Sequence, residues 1–86
     1  MKSKLHISDN GAKEWRLPNG DLHREDGPAV ENFFFKIWFI NGKKHREDGP
    51  AIEYNNGNRT WSLYNKDYTE QEYKKKMRLM KLKHIL

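Results

Sequence analysis

One seven-residue segment, HREDGPA, which we call the heptad, occurs twice in this chain, at residues 23–29 and 45–51. Its two copies start 22 positions apart. Around it, tryptophan recurs every 23 residues, as Trp15, Trp38 and Trp61. Repeats of this period predict copies of one supersecondary unit, each too small to bury its apolar face alone. The chain is therefore expected to fold by stacking neighbouring units.

Each unit has the pattern of a β-hairpin. Asn-Gly pairs at 10–11 and 56–57 separate short runs rich in β-branched and aromatic residues, such as PAIEY and FKIWFI. Asn-Gly favours hairpins because both residues tolerate positive φ. We predict a mainly β fold with one C-terminal α-helix, in which residues 1–68 form an antiparallel β-meander of about five to seven short strands. The middle unit has ENFFFK in place of an Asn-Gly turn, so its hairpin is expected to be irregular.

Residues 69–86 change character. Thr69 followed by Glu72 is a capping-box pattern that predicts a helix start. Two apolar stripes with helical spacing follow, one of Tyr73, Met77 and Met80 and an adjoining one of Leu79, Leu82 and Leu86. We predict a basic amphipathic helix packed on the sheet, where it would cover the tryptophan row.

Charge is uneven along the chain, whose formal net charge is +5. Residues 1–68 hold eleven Lys/Arg and ten Asp/Glu, a balance of +1, whereas residues 69–86 hold six and two, a balance of +4. This asymmetry favours a nearly neutral body that carries one cationic element. With only 35% hydrophobic residues, much of the core is expected to come from the eleven aromatic residues.

Composition also limits the chemistry and the location. The chain has no cysteine, which removes disulfides, thiolate nucleophiles and cysteine–zinc sites. The longest apolar run, FFFKIWFI, is eight residues long and contains a lysine, far short of a membrane span. The first residues lack the apolar segment of a secretory signal. We expect a soluble cytoplasmic protein.

The heptad itself has two interpretations. His, Arg, Glu and Asp in succession resemble a catalytic or metal-binding set, with His23, Asp26, His45 and Asp48 as ligands, joined by His6. Adjacent residues of a strand point to opposite faces, however, so at most two of the four can converge. Asp before Gly-Pro is typical of a turn, and proline can start a strand because it needs no ladder donor. We therefore interpret the heptad as scaffold, and predict no enzyme activity, no cofactor and no metal.

The whole pattern, Trp-x-x-Asn-Gly-x-x-His-Arg-Glu-Asp-Gly-Pro-Ala, resembles the MORN-like β-hairpin repeats found in proteins of large tailed phages and giant viruses. It covers residues 5–68, and the tail YTEQEYKKKM is similar to the ends of short phage proteins. Lys66 stands where the turn glycine is expected. The resemblance implies a small non-enzymatic accessory protein in the host cell cytoplasm. One such class is the counter-defence inhibitors of ToxN-type endoribonuclease toxins, which are associated with RNA.

The sequence leaves three functions open. The first is binding to RNA, or to an RNA-associated host toxin, through the cations Lys74, Lys75, Lys76, Arg78, Lys81 and Lys83. Exposed rings such as Phe33, Phe34 or Tyr54 could then stack on unpaired bases. The second is a protein–protein or homo-oligomer contact through Phe33, Phe34 and Phe35, with a host protein as partner and no small-molecule substrate. Peripheral membrane binding is less favoured, because the helix lacks Trp or Phe on its apolar face and the sheet needs that face.

Overall fold

The computed structural model describes residues 2–85, and the side chains of the C-terminal helix as far as residue 82. This part of the chain forms nine strands and one helix: β1 (Lys4–Ile7), β2 (Lys13–Arg16), β3 (Val30–Glu31), β4 (Phe35–Ile37), β5 (Phe39–Ile40), β6 (Lys43–Lys44), β7 (Ile52–Tyr54), β8 (Arg59–Leu63), β9 (Lys66–Tyr68) and α1 (Glu70–Ile85). The predicted class, mainly β with one C-terminal helix, is confirmed.

Seven strands form one antiparallel sheet in the order β1-β2-β3-β4-β7-β8-β9. The remaining two strands, β5 and β6, form a separate hairpin. β4 and β5 belong to one run that is interrupted at Trp38, so the first half pairs with β7 and the second half pairs with β6. The predicted meander is therefore present, and this short additional hairpin accounts for the two strands beyond the predicted seven.

Equivalent hydrogen bonds show that the sequence repeat is also a structural repeat. The Trp15 amide donates to the Ala29 carbonyl and the Trp38 amide donates to the Ala51 carbonyl, each at 2.8 Å. The amides of the two heptad arginines also have equivalent acceptors: Arg24 N donates to Phe39 O at 3.1 Å, and Arg46 N donates to Ser62 O at 3.2 Å. These last two bonds join a heptad to the Trp-bearing strand of the next unit.

The turns that follow the Trp strands adopt left-handed backbone. Asn41 and Gly42 have φ of 49° and 79°, a pair of positive values typical of a type I′ hairpin. In the third unit the equivalent residues are Tyr64 and Asn65, with φ of 48° and 71°. The expectation that Lys66 replaces the turn glycine is therefore wrong, because Lys66 already begins β9. Positive φ is unfavourable for a tyrosine. The Tyr64 ring packs against the ring of His45, with 4.0 Å between the two centroids.

The core is thin and consists mainly of small side chains. The protein measures 45 × 33 × 17 Å, so few residues can lie far from solvent. Its buried apolar residues are Ala12, Ala29, Ala51, Ile52, Leu63 and Tyr73. Among the described residues only Tyr73 is a fully buried aromatic, and the three tryptophans are half-buried, so the aromatic residues border the core more than they fill it.

The helix packs mainly against β8 and β9. Tyr73 is only 4% exposed, and its hydroxyl donates to the carbonyl of Arg46 in the second heptad. Burial raises the pKa of the Tyr73 phenol. Met77 and Met80, on the same stripe, are half-buried. The tail of the chain is thus attached to the heptad through one tyrosine.

A polar cluster joins β8, β9 and β6. The hydroxyl of Ser62, which is fully buried, donates to the Asp67 carboxylate, and the Lys44 ammonium lies 3.1 Å from the same carboxylate oxygen. The hydrogen bond from Ser62, aided by Lys44, lowers the pKa of Asp67. The Asn65 side chain also accepts the Lys44 amide at 2.8 Å, which connects the third unit to the second.

Candidate functional site

The two heptad histidines are buried hydrogen-bond acceptors. His23 and His45 are 7% and 5% exposed. Nδ1 of His23 accepts the backbone N–H of Asn41 at 2.9 Å, and Nδ1 of His45 accepts that of Tyr64 at 3.1 Å. Each donor is the first residue of the turn in the following unit, so each histidine fixes the position of its neighbour's turn. On the other side of each ring, Nε2 faces the heptad glutamate, Glu25 at 3.7 Å and Glu47 at 2.8 Å.

The heptad arginines cover the tryptophan rings. The guanidinium carbon of Arg46 lies 3.8 Å from the ring centroid of Trp38, a cation–π contact. Its Nε donates to the carboxylate of Asp48 at 2.8 Å and its Nη1 to the carbonyl of Pro50 at 3.1 Å. The first heptad repeats these three contacts at 3.9, 3.0 and 3.2 Å, with Arg24, Trp15, Asp26 and Pro28. Two of the three tryptophans thus receive cover from an arginine of their own unit.

The small residues of the heptad make room for these contacts. A Cβ on Gly49 would lie 2.9 Å from Cζ of Arg46, so any larger residue there would displace the guanidinium from its present position. Ala51 has no exposed surface, and a larger side chain would find no space there. Gly27 and Ala29 occupy the same positions in the first heptad. Every residue of the heptad has a contact within the fold, which supports the interpretation of this segment as scaffold.

The residues considered as metal ligands are not brought together. Among the side chains that the structure describes, those of residues 2–82, there is no group of three or more His, Cys, Asp or Glu residues placed to hold a metal ion. The carboxylates of Glu25, Asp26 and Asp48 point into solvent, with side chains 84–86% exposed. The histidine Nδ1 atoms already accept a backbone N–H.

The helix begins as its capping box predicts. The Thr69 hydroxyl accepts the Glu72 amide at 3.1 Å, and the Glu72 carboxylate accepts the Thr69 amide at 2.9 Å. The hydrogen bond from the Thr69 backbone, followed by that from its hydroxyl, lowers the pKa of Glu72. These reciprocal bonds satisfy two amides that would otherwise lack partners at the helix start.

Beyond this cap lies the cationic surface, which we define as the exposed side chains of Lys75, Lys76, Arg78 and Lys81. No ion pair involves these four among the described residues. Lys74, which the sequence also predicts to contact RNA, is exposed as well. Its Nζ lies 2.8 Å from the Glu70 carboxylate, which partly neutralises its charge. The side chain of Lys83 lies outside the described part of the chain.

Two members of the predicted second apolar stripe, Leu79 and Leu82, do not pack on the sheet, and the third, Leu86, lies outside the described residues. At about 100° per residue, Leu82 lies opposite Tyr73 on the helix, so it points away from the body. Leu79 and Leu82 are 50% and 49% exposed. The spacing in the sequence identifies both stripes, but only the structure shows that β8 and β9 are covered by the tyrosine–methionine stripe.

The third candidate region is the aromatic tip, defined as Phe33 and Phe34 in the turn between β3 and β4. Their exposed fractions are 80% and 61%, whereas Phe35 is half-buried in β4. The Phe33 and Phe34 rings meet edge to face at 5.2 Å, and the Phe35 ring lies 6.3 Å from that of Tyr54. The three consecutive phenylalanines therefore divide into two exposed rings and one that packs across the sheet.

An open groove that the sequence does not predict lies between the two heptads. It has a volume of about 830 Å³, and Trp38, Ile40 and Tyr64 are among its lining residues. Lys81 also lines it, which places the second half of α1 beside the heptads. The groove depends on the stacking of units, for which the heptad spacing is the sequence signal.

No family model matches this chain, and neither the curated proteins nor the solved structures include a significant match. Within the described residues, no helix is both long enough and apolar enough to cross a membrane.

Proposed function

We propose that this protein is a non-enzymatic RNA-binding accessory protein that holds the phosphate backbone with the cationic surface of α1. The observation that carries the proposal is the arrangement of the four cations. They are exposed and free of ion pairs among the described residues. The body to which the helix is attached has nearly balanced charge. Lysine and arginine side chains in this state can displace counterions from phosphates.

The expected binding is strongly salt-dependent. Four phosphate contacts on a single strand give a slope of log K against log salt of about −3. Such binding is independent of sequence, because phosphate contacts position a nucleic acid without reading its bases. Measurement of the affinity for a fluorescein-labelled 20-nucleotide RNA by anisotropy, over a salt series, gives this slope directly.

A charge-reversal variant with a matched control tests the location of binding. Lys75→Glu, Arg78→Glu and Lys81→Glu together reverse three exposed cations of the helix, and we expect this triple variant to lose RNA binding. The control reverses three exposed lysines of the body: Lys4, Lys13 and Lys43. Both variants change the net charge equally, so equal loss of binding in both would contradict a site on the helix.

A protein–protein module is the second candidate function. The outward pair Leu79 and Leu82 supports it, because RNA phosphates offer nothing for a leucine side chain, whereas a protein partner can bury it. A pull-down from bacterial lysate, with and without ribonuclease and at low and high salt, separates the two candidates. A partner that survives both treatments but is lost from the Leu79→Gln/Leu82→Gln variant supports this second function.

The resemblance to phage repeat proteins suggests the identity of such a partner. We propose an RNA-associated endoribonuclease toxin of the host, which the protein would inhibit in the manner of an antitoxin. Co-expression with a ToxN-type toxin tests this directly. Growth should be restored by the natural sequence and not by the helix charge-reversal variant, while the body charge-reversal variant should still protect the cells. Failure of the natural sequence to restore growth would exclude this class of partner and leave RNA binding itself untouched.

A further inference from the structure

The aromatic tip replaces the polar turn found in its two neighbouring hairpins. The first and third units have Asn10-Gly11 and Asn56-Gly57 at this position, with both glycines at positive φ. The middle unit has Phe33 and Phe34 instead. Since the neighbouring turns form without aromatic residues, the hairpin does not need these two rings in order to fold.

The backbone of the tip is held rigidly. The side-chain oxygen of Asn32 accepts the amides of Phe34 and Phe35 at 2.8 and 2.9 Å. From the adjacent hairpin, the Asn55 amide donates to the Phe34 carbonyl at 2.8 Å and the Asn55 side chain donates to the Phe33 carbonyl at 3.1 Å. The two rings therefore project into solvent from a fixed base, so a ligand would not have to order the backbone that carries them.

A shallow recess of about 170 Å³ lies beside the Phe33 ring. Phe33, Phe35 and Tyr54 contribute aromatic surface to it, and Tyr54 is 42% exposed. Lys36 also lines the recess; its side chain is 51% exposed, with a long contact of 3.8 Å to Glu31. One carboxylate, that of Glu53, is present as well, and it lies 3.4 Å from the Arg46 guanidinium.

We propose that the aromatic tip stacks the unpaired bases of single-stranded RNA, with Lys36 available to a neighbouring phosphate. The proposal rests on the RNA-binding function above and assigns a second contact region to it. Flat rings beside a cation are the combination that binds single strands without sequence preference. The net charge of +5 favours a polyanionic ligand.

The size of the tip favours bases over a protein partner. A stable protein interface buries about 800 Å² per partner. A phenylalanine ring can bury at most about 200 Å², so the two exposed rings and their surroundings provide only a fraction of that area. A single ring face is enough to stack one base. Double-stranded RNA keeps its bases stacked in the helix, so the tip should discriminate between the two forms.

The test compares a labelled 12-nucleotide single-stranded RNA with a duplex of the same length and sequence, by anisotropy at fixed salt. We expect Phe33→Ser/Phe34→Ser to weaken single-strand binding at least tenfold, because each stacked base contributes about 1–3 kcal/mol. Duplex binding should not change. Phe33→Tyr/Phe34→Tyr keeps the rings and should keep the affinity. The matched control is Leu5→Ser/Ile7→Ser, which removes two exposed apolar side chains from β1.

Each outcome is decisive. If the natural sequence binds RNA but the serine variant binds single strands equally well, the tip proposal is overturned and the helix function stands. Equal loss of single-strand and duplex binding also overturns it, as would loss of a protein partner with RNA affinity unchanged. If the natural sequence binds neither RNA, both proposals fail. Thermal unfolding shows that the variant is folded, since removal of two exposed rings should leave the melting temperature unchanged.

Discussion

Arg46→Ala is the sharpest test of how the repeat is stabilised. The Arg46 side chain is 19% exposed, and the contribution of each of its contacts to the free energy of unfolding can be estimated separately. Its cation–π contact with Trp38 contributes about 1 kcal/mol. Its charged hydrogen bond to the Pro50 carbonyl contributes about 1.5 kcal/mol. The ion pairs with Asp48 and Glu53, whose side chains are 85% and 37% exposed, together add less than about 1 kcal/mol. We expect the variant to lose about 3 kcal/mol of unfolding free energy, a large part of the stability of a small domain.

Urea unfolding followed by tryptophan fluorescence measures this loss. With a denaturant slope of about 1–1.5 kcal/mol/M, the midpoint should fall by about 2–3 M. Arg46→Lys keeps a charge near the ring but loses the planar fork, so it should recover only part of the loss. Arg78→Ala makes the same truncation at an exposed helix position and should cost less than about 0.5 kcal/mol. A loss below about 1 kcal/mol in Arg46→Ala would refute the view that the guanidinium stabilises the tryptophan.

Three further predictions concern the last strand, β9, and the helix. Thr69→Ala should cost about 1 kcal/mol and reduce helical ellipticity at 222 nm, since it removes the N-cap. Because the pKa of Tyr73 is raised, the stability that its neutral phenol contributes is complete below the ordinary pKa of 10.0 and is lost as pH rises through the pKa of the folded state. Tyr73→Phe should therefore cost about 1 kcal/mol at neutral pH, by removing the donor to Arg46, and should flatten the alkaline stability curve. Because the pKa of Asp67 is lowered, its carboxylate stabilises the fold above the ordinary pKa of 3.8, and this stabilisation is lost as pH falls through the pKa of the folded state. Asp67→Asn should therefore weaken the loss of stability in acid, as measured by urea titrations.

The repeat made the architecture accessible from sequence. The spacing of the heptads and tryptophans predicts stacked hairpins, and the Thr69–Glu72 pair predicts the helix start that the structure shows. Sequence could not place the third Trp turn, because Tyr64-Asn65 carries no glycine signal. Tertiary contacts decide that turn, since the Tyr64 amide is bound by the buried His45.

The candidate sites were less accessible. Cationic residues at 74–81 are visible in the sequence, but the pairing of Lys74 with Glu70 is a matter of side-chain geometry. Alternation alone cannot show which phenylalanines of a triplet are exposed at an irregular turn. The hydrogen bonds that the Asn32 side chain accepts and that the Asn55 side chain donates determine it. How deeply each aromatic ring is buried is likewise not visible in the sequence. In a slab 17 Å thick, most large aromatic rings remain partly exposed, and alanines fill the space between units.

The link from each heptad histidine to the turn of the following unit has a consequence for chain length. A second copy of residues 30–51, inserted after Ala51, would present the same acceptors to the unit after it and the same donors to the unit before it. Each such duplication would add two strands to the main sheet, or about 10 Å of width. The distance between the original aromatic tip and the terminal helix would grow in equal steps. If both bind RNA as proposed, the number of units would set the length of strand that the two can share.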